Sequence, residues 1–384
     1  MGGKMAENSA AWENNNNSEV QAQPVYRETA KIKVIGIGGG GSNAVSRMFK
    51  EKLDGVEYYA LNTDSQHLFR CDVAHRISLG SIATKGLGAG AQPEVGRQAA
   101  DESRKEIEAA VSDADMVFLA VGMGGGTGTG AAPVVAEIAK DAGALTVAVV
   151  SKPFTFESQS RRKNAEEGIE RLKEHVDTLI TIPNDRLLEL NELKDEDFTW
   201  EEALKTADSV LHQGIQAISE VVTIPGEINV DFADVKTILS NAGQAWLAIG
   251  KGKGEHRAAD AARQATESPL LDIEMNGARK ILFVITGGAT LTLREVQEAA
   301  NVIQSMSDPE ANIIFGTSRD SKLDDEVKIT MVAASFPIFN DNLKQREEDF
   351  QRLLEESVAP VADELDVPTF LRKQNTSSRW SLFK

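Results

Sequence analysis

The chain has 384 residues, 41% of them hydrophobic and 26% charged, which is long enough for two domains with cores of their own and ordinary for a globular protein. A formal net charge of −18 argues against non-specific binding to nucleic acid, because phosphate contacts need a basic surface. No apolar run is long enough for a membrane span, so none is expected.

Residues 1–29 contain Asn14 to Asn17 and little apolar periodicity, and are expected to be a disordered leader. The opening Met1-Gly2-Gly3-Lys4-Met5-Ala6 has neither the apolar core of a signal peptide nor the Ser or Thr that myristoylation wants at position 6. From Lys31 the pattern changes. Residues 31–37 predict a strand running into Gly36-Ile37-Gly38-Gly39-Gly40-Gly41-Ser42-Asn43, and 44–52 a helix. A second strand over 56–61 ends at Asn62-Thr63-Asp64. Cys71, the single cysteine, rules out an intramolecular disulfide and a multi-cysteine metal site; it suits a reducing cytoplasm and is expected to be a buried or inert thiol.

A short strand over 74–79 leads into the loop Lys85-Gly86-Leu87-Gly88-Ala89-Gly90-Ala91-Gln92-Pro93, followed by a helix over 94–111. The apolar run 116–121 is a buried strand. It is followed by Gly122-Met123-Gly124-Gly125-Gly126-Thr127-Gly128-Thr129-Gly130 and a helix over 131–140. A strand, a loop of nearly bare backbone and a helix N-terminus make an anion cradle, since glycine admits amides to a phosphate and the helix dipole adds positive charge. Both threonines can add hydroxyl hydrogen bonds. Strands over 145–150 and 178–182 flank a helix over 161–175, and Pro183-Asn184-Asp185 closes the last strand. This alternation predicts a doubly wound sheet with ligands at the carboxyl ends of its strands, where all three glycine-rich loops fall.

Residues 200–222 form a long helical pattern that connects two halves. Beyond Ile224-Pro225-Gly226, helices are expected over 235–247, 258–265 and 293–306, and strands over 281–286, 312–316 and 326–333: a second, smaller α/β domain. Residues 340–366 are acidic, whereas 367–384 carry four basic residues and no acids, which marks a tail.

Gly36 to Gly41 also satisfies Gly-x-Gly-x-x-Gly, with Asp64 placed as a ribose-binding acid, so a nicotinamide-dependent dehydrogenase is an alternative. Two further glycine-rich loops are superfluous for one pyrophosphate, and none of the five histidines stands out as catalytic. No Gly-x-x-x-x-Gly-Lys-[Ser/Thr] occurs, so the chain is not a P-loop NTPase. A polyphosphate held by main-chain amides with a magnesium ion fits the loops. In Asn229-Val230-Asp231-Phe232-Ala233-Asp234, Asp231 reads either as a helix N-cap or, with Asp234, as a pair of carboxylates that polarise a water or hold a cation.

These motifs together resemble the FtsZ family of tubulin-like GTPases, over residues 31–335 and again at 367–373. The resemblance implies a Rossmann-like GTPase domain, a long central helix, a second smaller α/β domain and disordered termini, with bounds 1–29, 30–199, 200–224, 225–336, 337–365 and 366–384. It implies GTP or GDP with Mg2+ as the ligand. Gly39, Gly40, Gly41, Ser42 and Asn43 match the first phosphate loop; Ala89, Gly90 and Ala91 match the loop near the terminal phosphate. Gly124, Gly125, Gly126, Thr127 and Gly128 match the signature loop. Glu157 and Arg161 match ribose contacts, while Asn184 and Asp208 match residues facing the base; Leu204 stands where many relatives have a stacking phenylalanine. Asn229, Asp231 and Asp234 match the loop that one subunit inserts into its neighbour's nucleotide site, implying head-to-tail homopolymer filaments with hydrolysis in trans, in the cytoplasm at the division site near midcell. Asp366-Val367-Pro368-Thr369-Phe370-Leu371-Arg372-Lys373 resembles the family's terminal peptide for membrane tethers and regulators. A non-hydrolysing structural relative is the remaining alternative.

Overall fold

The structure, a computed structural model, describes residues 30–51, 53, 55–187, 199–223, 230–268, 270, 277–320 and 323–336. The leader, Asn229, the acidic linker and the terminal peptide lie outside them.

The first half is β1 (Ile32–Ile37), β2 (Val56–Asn62), β3 (His75–Ser78), β4 (Met116–Gly122), β5 (Leu145–Lys152) and β6 (Thr178–Pro183). All are parallel, in the order β3-β2-β1-β4-β5-β6. β1, β4 and β5 are buried on both faces, which is why they read as continuous apolar runs rather than alternating ones. The order reverses between β1 and β4, the switch point where a doubly wound sheet opens a ligand crevice.

Helices cover both faces. α1 (Gly38–Met48), α2 (Ser65–Arg70), α8 (Trp200–Thr223) and α9 (Phe232–Leu239) share one core with residues such as Phe118 and Val147. α3 (Pro93–Glu102), α4 (Arg104–Val111), α5 (Thr127–Asp141) and α6 (Gln159–Lys173) share the other with Val117 and Leu119; α7 (Asn184–Leu187) is a single turn after β6.

The second half extends the same sheet through β7 (Gly243–Lys253), β10 (Glu326–Ala334), β8 (Lys280–Gly287) and β9 (Asn312–Arg319). β7 joins β6 in parallel over a short stretch, pairs antiparallel with β10, and β10 pairs antiparallel with β8. α10 (Arg257–Thr266) and α11 (Leu293–Ser305) form a separate core on one face, while α8 spans the other face and packs on strands of both halves.

Three expectations change. The helix expected over 235–247 is α9 ending at Leu239, a turn through Asn241 and Gly243 at positive φ, and then β7. Ala245, Leu247 and Ala248 suit a helix, but the nine residue pairs of β7 with β10 hold them extended. The helix over 94–111 breaks at Ser103, whose hydroxyl accepts the Gly80 amide at 3.0 Å. The first glycine run is not a loop before a helix but the opening turn of α1.

Candidate nucleotide-binding site

The carboxyl ends of β1, β4, β5 and β6 surround a cleft of about 280 Å³. Gly39 and Gly40 of α1 line one wall, and Gly125, Gly126, Thr127 and Gly128 line the next. Helices α1 and α5 both begin here, on Ile37 and Gly126, and neither start is capped by a side chain. Their first-turn amides are therefore available to an anion. Packing requires several of these glycines. A Cβ on Gly128 would stand 2.7 Å from the Gly122 carbonyl, and one on Gly38 2.8 Å from the Gly128 nitrogen. At Gly39 and Gly125, by contrast, a Cβ would meet open space within the cleft, with no positive φ to explain the glycine. A bound phosphate supplies the missing reason, so the cradle fits a nucleotide.

The threonines divide their work. Thr127 lines the cleft and its hydroxyl lies 2.6 Å from that of Thr63. Thr129 is fully buried and its Oγ1 accepts the Gly124 amide at 2.8 Å, a clasp that closes the turn and uses up that amide internally. Gly124 lies behind the cleft wall against the Arg161 backbone. Gly41 and Ser42 are buried within α1, the Ser42 hydroxyl without a hydrogen-bond partner, and Asn43 is exposed. Ala89, Gly90 and Ala91 do not line the cleft but stand behind its wall, where Ala89 abuts Gly126 and Ala91 offers its carbonyl to Asn164.

The opposite wall carries the polar side chains. Glu157 accepts the Phe154 amide at 3.0 Å and pairs with Arg161 on the first turn of α6; both line the cleft. Asn184 lines the cleft at 6% exposure, and its Oδ1 is buried without a hydrogen-bond partner. Asp208 on α8 lies 3.1 Å from Arg47 on α1. Burial pushes its carboxyl up to about 6, against the pull of Arg47. Leu204, one turn earlier, gives this corner an aliphatic wall. Ser151, Pro153, Met123 and Ala207 also line the cleft and were not singled out from sequence; the position of Ser151 at the end of β5 is the signal that would have found it.

Asp231 and Asp234 do not line the cleft. Both are exposed, at the start of α9. Asp231 occupies the N-cap position yet makes no capping hydrogen bond. The first turns of α8 border the cleft, and the 15 residues from Asp208 to Thr223 carry the chain about 22 Å away from it. The ribose role considered for Asp64 fails on geometry: its Oδ1 accepts the Gln66 and His67 amides and so caps α2. Cys71 is buried and its thiol is pushed up by burial, which leaves it inert.

Fold and cleft together define a nucleotide-binding α/β protein whose phosphate cradle is built from main-chain amides. Residues 31–192 match the Tubulin/FtsZ family, GTPase domain, and residues 243–337 the FtsZ family, C-terminal domain. The FtsZ dimer of M. jannaschii, solved empty, superposes with a TM-score of 0.77 at 46% identity, over 80% of this chain and 89% of that one. CetZ1 of Haloferax volcanii, a GDP-bound monomer, shares the fold at 20% identity and a TM-score of 0.67, over 79% and 93%. CetZ2 of the same organism, in a protofilament with GTPγS, does so at 19% and 0.66, over 85% and 99%. The chain belongs to the FtsZ family of tubulin-like GTPases. It binds GTP and GDP, hydrolyses GTP, and self-associates into filaments in cell division. Neither the dehydrogenase nor the non-hydrolysing alternative finds support in these matches.

No three His, Cys, Asp or Glu side chains cluster as a metal site among the described residues. No helix among them is long and apolar enough to cross a membrane.

Proposed function

We propose that GTP lies with its phosphates along Gly39 to Asn43 and Gly125 to Gly128, its ribose toward Glu157 and Arg161 and its base toward Asn184 and Asp208. Hydrolysis then takes place where two copies meet head to tail. Asn229, Asp231 and Asp234 of one copy enter the cleft of the next, and the loop Ala89 to Ala91 closes over the terminal phosphate. The observation that carries this reading is the free pair of acids at the start of α9. An aspartate at an N-cap ordinarily accepts an amide of the first turn, and Asp231 does not. Its carboxylate and that of Asp234 are exposed, distant from their own cleft along α8, and available to another copy.

Two carboxylates brought to the terminal phosphate orient the attacking water and accept its proton, and the amides of α1 and α5 stabilise the charge that develops on the transferred phosphoryl. Magnesium, when bound, neutralises charge on the phosphates. A contact that uses different surfaces on the two partners and does not close generates a filament. The chain then divides as a GTP-binding domain (30–199), a connecting helix (200–224), a C-terminal domain (225–336), an acidic linker (337–365) and a partner-binding peptide with a basic tail (366–384). That peptide would tether filaments to a membrane-associated partner on the cytoplasmic side of the division site.

Asp231→Ala tests the reading. GTP affinity measured on the monomer should stay within about threefold of wild type while turnover falls by at least about 100-fold, the scale of removing a water-orienting base. Equal loss of affinity and turnover would place Asp231 in its own cleft and overturn the trans arrangement.

A further inference from the structure

The base corner of the cleft has an unusual balance. Its wall at Leu204 is aliphatic and 37% exposed, so a purine ring gains no aromatic stacking there. Recognition then falls on the polar residues that line this corner, Asn184 and Asp208, the latter with a carboxylate side chain only 15% exposed. Asp208 is not alone. Arg47, in the last turn of α1, places its guanidinium 3.1 Å from Asp208 Oδ2 and donates to the Lys205 carbonyl at 3.4 Å. The second bond, from the same Nη1, links the guanidinium to the backbone of α8 beside the carboxylate.

The other neighbours of Asp208 contribute no compensating charge. From α8, Leu204 and Ala207 are apolar and the Lys205 ammonium pairs with Glu201. From α7, Asn184 is neutral and Asp185 is turned to Thr155, accepting its amide and hydroxyl. Arg47 is the one charged group that offsets the burial of Asp208 among the described residues.

We propose that Arg47 is a positioning residue for base selection: paired with Oδ2, it holds the Asp208 carboxylate in one orientation and leaves Oδ1 to accept from the donor edge of guanine. This rests on the reading of the cleft as a guanine-nucleotide site. Guanine presents a ring N–H and an exocyclic amine to such an acceptor. Hypoxanthine keeps the ring N–H but lacks the amine, and adenine has a ring acceptor in that place. A buried carboxylate left unpaired by the wrong base is penalised, which is how a polar site discriminates. The phosphate helix α1 thereby also sets the base specificity read from α8.

The test is a titration of wild type, Arg47→Gln, Arg47→Met, Arg47→Lys and Asp208→Asn with GTP and with ITP, from about pH 5 to about pH 8, beside melting of each nucleotide-free protein. For wild type, GTP should be preferred over ITP and its affinity should fall as pH drops through about 6, where Asp208 takes up a proton. In Arg47→Gln and Arg47→Met, GTP affinity at neutral pH should drop about tenfold, the GTP-over-ITP preference should shrink, and the pH midpoint should move upward because an opposing positive charge is gone. Arg47→Lys keeps the charge and should return the midpoint toward wild type. Arg47 variants that retain the wild-type preference and midpoint overturn the proposal, whether their affinity is unchanged or falls equally for both nucleotides. If Asp208→Asn keeps the wild-type preference for GTP, the guanine reading itself fails; if Asp208→Asn loses it and the Arg47 variants do not, only the role of Arg47 fails.

Discussion

Asp208 carries a stability cost that the recognition role proposed for it would account for. Its carboxyl is raised from 3.8 to about 6 by burial, with Arg47 only partly compensating. Between those two values the folded protein binds this proton more readily than the unfolded chain does. Stability from this group therefore falls as pH rises from about 4 to about 6, and the cost stays in full above that. Asp208→Asn removes the buried charge while conserving shape. The nucleotide-free variant should be more stable than wild type at pH 7 by on the order of 2 kcal/mol, with no gain near pH 4, as denaturant melts at the two values would show. The residue type at position 208 was legible only through resemblance. Nothing in the local sequence distinguishes Asp208 from any other acid on an amphipathic helix, because its burial and its pairing with Arg47 arise only when α8 packs against segments such as α1, more than 150 residues earlier.

At the scale of elements, the strand-to-helix turns were the most legible parts of the chain. Buried parallel strands must be apolar throughout, and amides approaching a phosphate need glycine, so β1 with α1 and β4 with α5 leave strong local marks. The inner division of labour did not. Thr127 and Thr129 look equivalent in sequence, yet one lines the cleft and the other clasps the turn shut, a difference set by which way α5 faces. β7 was misread for a related reason: its alanines and Leu247 carry no intrinsic preference strong enough to resist pairing with β10. The central helix α8 was read correctly because its 24 residues repeat an apolar stripe at helical spacing. That stripe packs against strands of both halves. Leu211, 1% exposed on it, should cost about 2–5 kcal/mol when changed to Ala, and the loss should appear in a single denaturation transition for the whole chain. Two separated transitions would mean that α8 does not couple the halves.

At the scale of the whole molecule, the exposed acids of α9 do not line the cleft, and the active site proposed above needs both. GTP turnover per protomer should consequently be negligible at low protein concentration and rise steeply once filaments form, with light scattering and phosphate release rising together. Turnover independent of protein concentration would contradict an active site shared between copies. The proposed contact would also respond to salt, since it brings a pair of exposed carboxylates on a chain of net charge −18 into the cleft.

The amino-acid sequence by itself determined the class of fold and marked the glycine-rich turns at the ends of its strands. These depend on local rules: burial on both faces for a parallel strand, absence of a Cβ for close approach of an amide, and helical spacing for a buried stripe. Only the tertiary structure decided which turns share one cleft, that Asp64 caps a helix instead of binding ribose, that Arg47 meets Asp208, and that Asp231 and Asp234 lie outside the lining of their own cleft. Those facts depend on contacts between segments distant in the chain, whose energies are set by packing and by the relative directions of helices, and neither is written in any local stretch of residues.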